Sequence, residues 1–86
     1  MKKDKYTDRA VTLYKKFKGD LKLTPHYFTV FEYRYGLTDG EMHSYAATGK
    51  AFGVSGTRIN QLIARVMYET EKLEYTSGRQ FVENEN

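Results

Sequence analysis

The chain has 86 residues, 40% hydrophobic and 29% charged, with a formal net charge of +3. That length holds one domain with a small core, and the absence of Cys excludes disulfides and thiolate chemistry. No apolar run is long enough to cross a bilayer and MKKDKYTD lacks the apolar centre of a signal peptide, so no membrane role is expected and a cytoplasmic location is.

The charge is unevenly placed. Residues 1–22 carry eight basic and three acidic side chains, residues 23–68 four and three, and residues 69–86 two and five. The chain is therefore basic first and acidic last, which suits phosphate attraction at the start and repulsion from DNA at the end.

From Tyr6 to Lys18, Tyr6, Ala10, Leu13, Tyr14 and Phe17 recur at three- and four-residue steps with Lys15, Lys16 and Lys18 opposite, the pattern of an amphipathic helix. Asp4 or Thr7 is placed to cap its start and Gly19-Asp20 to end it. This basic helix, residues 1–22, either completes the core or pairs with a partner, and periodicity leaves both open. Eight Tyr and five Phe exceed what so small a core can bury, which leaves aromatics for an interface.

Leu23-Thr24-Pro25 marks a second helix start, with Thr24 as N-cap and Pro25 as the first helical residue. Phe28, Phe31 and Tyr35 form its inward stripe, Val30 and Tyr33 flank it, and Gly36 is its exit. Thr38-Asp39-Gly40-Glu41 is then a turn, in which Asp39 and Glu41 read as turn and capping residues rather than a catalytic pair.

His43 to Met67 reads as two helices joined by a tight turn. Gly49 permits close packing of the first, Gly53 supplies the positive φ of the turn, and Ser55 caps the second, where Ile59, Leu62, Ile63 and Val66 form one apolar face. This is helix-turn-helix spacing. The other face presents Thr57, Arg58, Asn60, Gln61 and Arg65, with Lys72 beyond. Asn and Gln can pair with adenine edges and Arg with guanine or phosphate. The helix is expected to run to about Leu73 or Tyr75, to be broken by Thr76-Ser77-Gly78, and to be followed by a flexible acidic tail over 76–86 in which only Phe81-Val82 is placed to dock.

No catalytic constellation emerges from the spacing, and Gly49-Lys50 lacks the surroundings of a phosphate-cradling loop. With His26 and His43 as the neutral-pH nitrogen ligands, neither a metal site nor a cofactor is expected. An enzyme is disfavoured.

Three stretches then match a known pattern in order. Leu23-Thr24-Pro25 with Val30-Phe31 and Arg34-Tyr35-Gly36-Leu37 is similar to LTxRExxVLxxRYGL; Asp39-Gly40-Glu41 with Ser44 is similar to DGExxT; and Gly49 with FGVSxxRINQLIAR is similar to GxxLGVSRERVRQIEAR. Leu23 to about Leu73 thus resembles region four of bacterial housekeeping-type sigma factors. The resemblance implies an all-α domain of four to five helices over residues 23–75 and the N-terminal helix, containing the helix-turn-helix. It also implies double-stranded promoter DNA and the β flap of RNA polymerase as partners. Carried over by position, Arg34 would hold backbone phosphate, Arg58 and Arg65 would lie at or near backbone, and Gln61 would face bases.

The departures bear on specificity. Gly56-Thr57 stands where the family has Arg-Glu after its capping Ser, and Asn60 where a second Arg commonly follows. Each lost bidentate contact costs about 1–3 kcal/mol of discrimination, while Gly56 instead lets a backbone amide approach a phosphate at the helix start. His26-Tyr27 replaces another Arg-Glu pair, and Ile63 replaces a Glu, enlarging the apolar face in favour of polymerase docking. The expected function is a DNA-binding transcription regulator, a split-sigma subunit or phage-type regulator, with Arg34, Ser55, Gly56, Thr57, Arg58, Asn60, Gln61 and Arg65 as its DNA-binding set. The alternative is a protein-only adaptor that grips polymerase or a sigma factor.

Overall fold

The structure is a computed structural model that describes the backbone of residues 5–85 and the side chains of residues 7–76. It is all-α: α1 (Lys5–Phe17), a 3-10 turn (Lys18–Asp20), α2 (Pro25–Arg34), α3 (Tyr45–Phe52) and α4 (Gly56–Glu85). Among the described residues no strand forms, and a single antiparallel bridge joins Tyr35 to Met42. No helix among them is long and apolar enough to cross a membrane.

Helices α1, α2 and α3 all pack against α4. Ala10, Leu13, Tyr14 and Phe17 are buried as the periodicity of α1 predicts, and Val11 joins them. Val11 and Tyr14 share one cluster with Val30, Phe31, Ile59, Leu62 and Val66, so α1 completes the core of the remaining helices. Arg9 clamps it further along by an ion pair to Glu74 at 2.8 Å. Asp4 and the side chain of Tyr6 lie outside the described residues, and Thr7 falls inside the helix rather than ahead of it.

In α2, Thr24 is the extended N-cap and Pro25 the first helical residue, as expected. The Thr24 carbonyl, rather than its hydroxyl, takes the Tyr27 N–H at 3.1 Å. Val30 is fully buried with Phe31, while Phe28 is only half covered. Phe31 stacks on Tyr14 with ring centroids 4.2 Å apart.

Helix α4 does not stop where composition suggests. Its backbone stays helical through Thr76, Ser77 and Gly78 to Glu85, which corrects the expected break. One helical Gly costs about 1 kcal/mol relative to Ala, and without Pro or a left-handed cap the neighbouring helix formers carry the helix past it. The side chains of Phe81 and Val82 lie outside those described.

One polar network sits at the junction of α1 and α2. The Tyr14 hydroxyl donates to Glu32 Oε2 at 2.5 Å, and Lys18 Nζ donates to the same oxygen at 2.7 Å. Burial opposes ionisation of Glu32, but the hydrogen bonds from Lys18 and Tyr14 and the charge of Lys18 outweigh it and hold its pKa below the usual 4.5. Burial first, then the bond to Glu32 and its charge, push the Tyr14 phenol above its usual 10.0. For Glu32 the stabilisation is complete above its unfolded pKa and is lost as pH falls through the lower folded value. For Tyr14 it is complete below the unfolded pKa and is lost as pH rises towards the higher folded value. Urea denaturation from about pH 3 to 11 should therefore show both limbs. Glu32→Gln should flatten the acid limb and Tyr14→Phe the alkaline one; slopes unchanged by either substitution would rule the network out as their source.

Candidate nucleic-acid interface

The surface in question begins with how α3 and α4 are joined. Ser44 caps α3, its Oγ accepting the Ala47 N–H at 3.0 Å. The helix ends at Gly53, whose φ of 73° is the left-handed conformation that favours glycine. Gly49 O then accepts the Gly53 N–H and, at 2.9 Å, the Val54 N–H, so the turn folds back on α3. A Cβ on Gly49 would stand 2.5 Å from Val54 O and 2.9 Å from the Ser55 carbonyl carbon. Only glycine leaves room for that approach. Ser55 Oγ accepts the Arg58 N–H at 3.0 Å and so starts α4. The sequence-derived roles of Gly49, Gly53 and Ser55 are all observed.

From that start α4 has two faces. Ile59, Leu62, Ile63, Val66 and Thr70 are buried, while Thr57, Arg58, Asn60, Gln61, Arg65 and Lys72 are exposed. Arg58 Nη1 lies 3.4 Å from Gln61 Oε1, a long contact that leaves both side chains facing solvent. Five of the expected DNA-binding residues thus share one outward stripe. Ser55 is also exposed, but its hydroxyl is engaged as the helix cap. Gly56 is half-buried, with the place of its absent Cβ 3.4 Å from the Ala46 backbone, so it seats α4 against the start of α3.

Arg34 is a correction. It is buried, with 7% of its surface exposed, and its guanidinium donates to the His43 carbonyl and lies 4.3 Å from the Tyr45 ring centroid. The Arg34 carbonyl accepts the His43 N–H at 3.0 Å, so the residue ties the end of α2 to the segment entering α3. A guanidinium so placed is a strut, not an exposed phosphate clamp. Ile63, at 3% exposure, lies in the core with Ile59, Leu62 and Val66 as its spacing predicts, which corrects its expected part in a docking surface.

The segment from α2 to α3 forms a joint that sequence reading did not foresee. His43 stacks on Tyr33 with centroids 4.0 Å apart, and Tyr33 meets Phe52 edge-on at 5.4 Å. Asp39 Oδ1 accepts the Glu41 N–H at 3.0 Å and Oδ2 lies 2.9 Å from His43 Nε2. The Glu41 N–H foremost, then His43, hold the Asp39 carboxyl below its ordinary range. These are turn-forming bonds, as the sequence predicts for Asp39. Among the described residues no group of three or more acidic or histidine side chains could hold a metal ion.

Electrostatics favours the outward stripe as an anion-facing surface. Between Met42 and Tyr68 the sequence contains Lys50, Arg58 and Arg65 and no Asp or Glu. Among the described residues the ion pairs are Arg9–Glu74, Lys18–Glu32 and Asp39–His43, so these three cations are not neutralised locally. The positive end of the α4 dipole adds to them.

In comparisons of the chain with protein-family models, with curated proteins and with solved structures, nothing matches.

The turn geometry sets a test. Gly49→Ala should cost about 1–3 kcal/mol because its methyl meets backbone that cannot give way, and Ser55→Ala about 1 kcal/mol through loss of the cap. Urea melts read both; a Gly49→Ala protein as stable as the native one would refute the close approach.

Proposed function

We propose that this chain is a DNA-binding transcription regulator that meets double-stranded DNA through the first turns of α4 and also contacts RNA polymerase, as a split-sigma subunit or phage-type regulator acting in the cytoplasm. The observation that carries the DNA contact is the stripe Thr57, Arg58, Asn60, Gln61 and Arg65, exposed together on a helix whose start is held by the Gly49 turn and the Ser55 cap. The acid-free stretch around it supports the same reading. Side chains held by a packed helix meet base edges in a fixed register, which a loop would not provide.

Within this proposal Arg58 and Arg65 take phosphate or guanine, Asn60 and Gln61 take base edges, and Thr57 stands nearest the helix start. Arg34 serves the fold. Gly56 and Ser55 position the helix, with the first-turn amides available to a phosphate. The polymerase contact rests on the motif resemblance over Leu23 to Leu73. The adaptor alternative loses Ile63 as an interface residue, because that side chain is in the core.

Binding to duplexes selected from a random library, followed by fluorescence anisotropy at several salt concentrations, tests the DNA arm. The logarithm of affinity should fall linearly with the logarithm of salt concentration, and Arg58→Glu or Arg65→Glu should weaken binding across all sequences and reduce that slope by about 1. Asn60→Ala or Gln61→Ala should cost about 1–3 kcal/mol on the selected sequence and little on others. Affinity indifferent to salt and to Arg58→Glu would overturn the proposal. A pull-down of purified polymerase tests the other arm: Arg58→Glu should weaken the DNA-dependent component and spare the direct one, and no direct capture would remove polymerase as a partner.

A further inference from the structure

Beyond the stripe, the outward face of α4 changes character. Tyr68 and Tyr75 are 63% and 66% exposed, the most open large apolar side chains among the described residues. They lie two helical turns apart, with exposed Glu71 and Lys72 between them on the same face. A shallow cleft bounded by Arg9, Leu13 and Met67 runs along one side of this ridge, and a groove of about 220 Å³ bounded by Leu21, Lys22 and Leu73 along the other. Glu71 itself borders the first cleft, beside Arg9, and Lys72 the second, beside Asp20, so the ridge is the crest between them.

The order of residues on the ridge is symmetrical: Tyr68, then Glu71, then Lys72, then Tyr75. A two-fold interface needs a patch that is complementary to itself when turned end for end. We infer that two copies of the chain associate antiparallel through this face of α4. A two-fold axis between Glu71 and Lys72 sets Tyr68 against the partner's Tyr75 and Glu71 against the partner's Lys72, and each pair occurs twice. The tyrosines bury ring area that the monomer leaves in water, and adjacent opposite charges fix the register.

Nucleic acid is a poorer occupant of this ridge, because Glu69, Glu71 and Glu74 lie in the same turns and repel phosphate.

Sedimentation equilibrium of the full chain, from about 1 to 500 μM, decides the matter. The expected result is a mass rising with concentration from 10.0 kDa towards twice that value. Glu71→Lys or Lys72→Glu alone should raise the dissociation constant about tenfold, by placing like charges in contact twice, and the double exchange Glu71→Lys/Lys72→Glu should restore it to within about threefold. Tyr68→Ser should also weaken the dimer. These side chains are exposed, so far-UV circular dichroism should be unchanged in each variant. A monomer throughout the range would overturn the inference, as would a dimer indifferent to the single charge changes or one that the double exchange does not restore.

Discussion

The apolar face of α4 is what the other helices depend on. Ile59 and Val66 are wholly buried and Leu62 and Ile63 nearly so, because α1, α2 and α3 all rest against this one surface. The same requirement fixes the opposite face. Arg58 adjoins Ile59, Gln61 adjoins Leu62 and Arg65 adjoins Val66, so rotating the helix by one residue would bury the cations and expose the core. The candidate interface is therefore the other side of the hydrophobic constraint that forms the fold. Its precision comes from the core.

Two local devices determine where that helix starts and what stands beside it. At Gly49 the turn backbone comes closer than any side chain would allow, which sets the offset between α3 and α4. At Arg34 a buried cation links α2 to the segment entering α3. Placing a guanidinium there is costly unless its charge is met, and the His43 carbonyl and the face of Tyr45 meet it. The aromatic stack of Tyr33 and His43 closes the same joint from the α2 side. A short domain with little core thus uses polar and aromatic contacts to hold its connecting segment.

Much of this was legible from residue order. Periods of three and four placed Ala10, Leu13, Tyr14, Ile59, Leu62 and Val66 inside, and the local chemistry of Gly53 and Ser55 placed the turn and the cap, because both are decided within one or two helical turns. What escaped was decided over longer distances. Whether α1 docks depends on a cleft formed by Met67 and Thr70, far along the chain, and nothing in the period of α1 encodes it. Arg34 looks like a surface cation until Tyr45 and the His43 carbonyl converge on it. Ile63 at an extra apolar position reads equally as interface or core. Gly78 resembles a helix stop, but its cost of about 1 kcal/mol is small beside the rest of a long helix.

The length of α4 gives these features a joint consequence. At about 1.5 Å per residue the helix spans roughly 45 Å, close to the 50 Å longest dimension of the molecule. Its outward face is continuous from Thr57 to Tyr75, basic and amide-bearing at first, then tyrosine-bearing with carboxylates. A rigid helix cannot turn one half without the other. An antiparallel copy centred between Glu71 and Lys72 would carry its own far end along the first turns of this helix, over Arg58 and Gln61. Under the DNA-binding proposal, such a pair and a duplex would compete for the same face of α4.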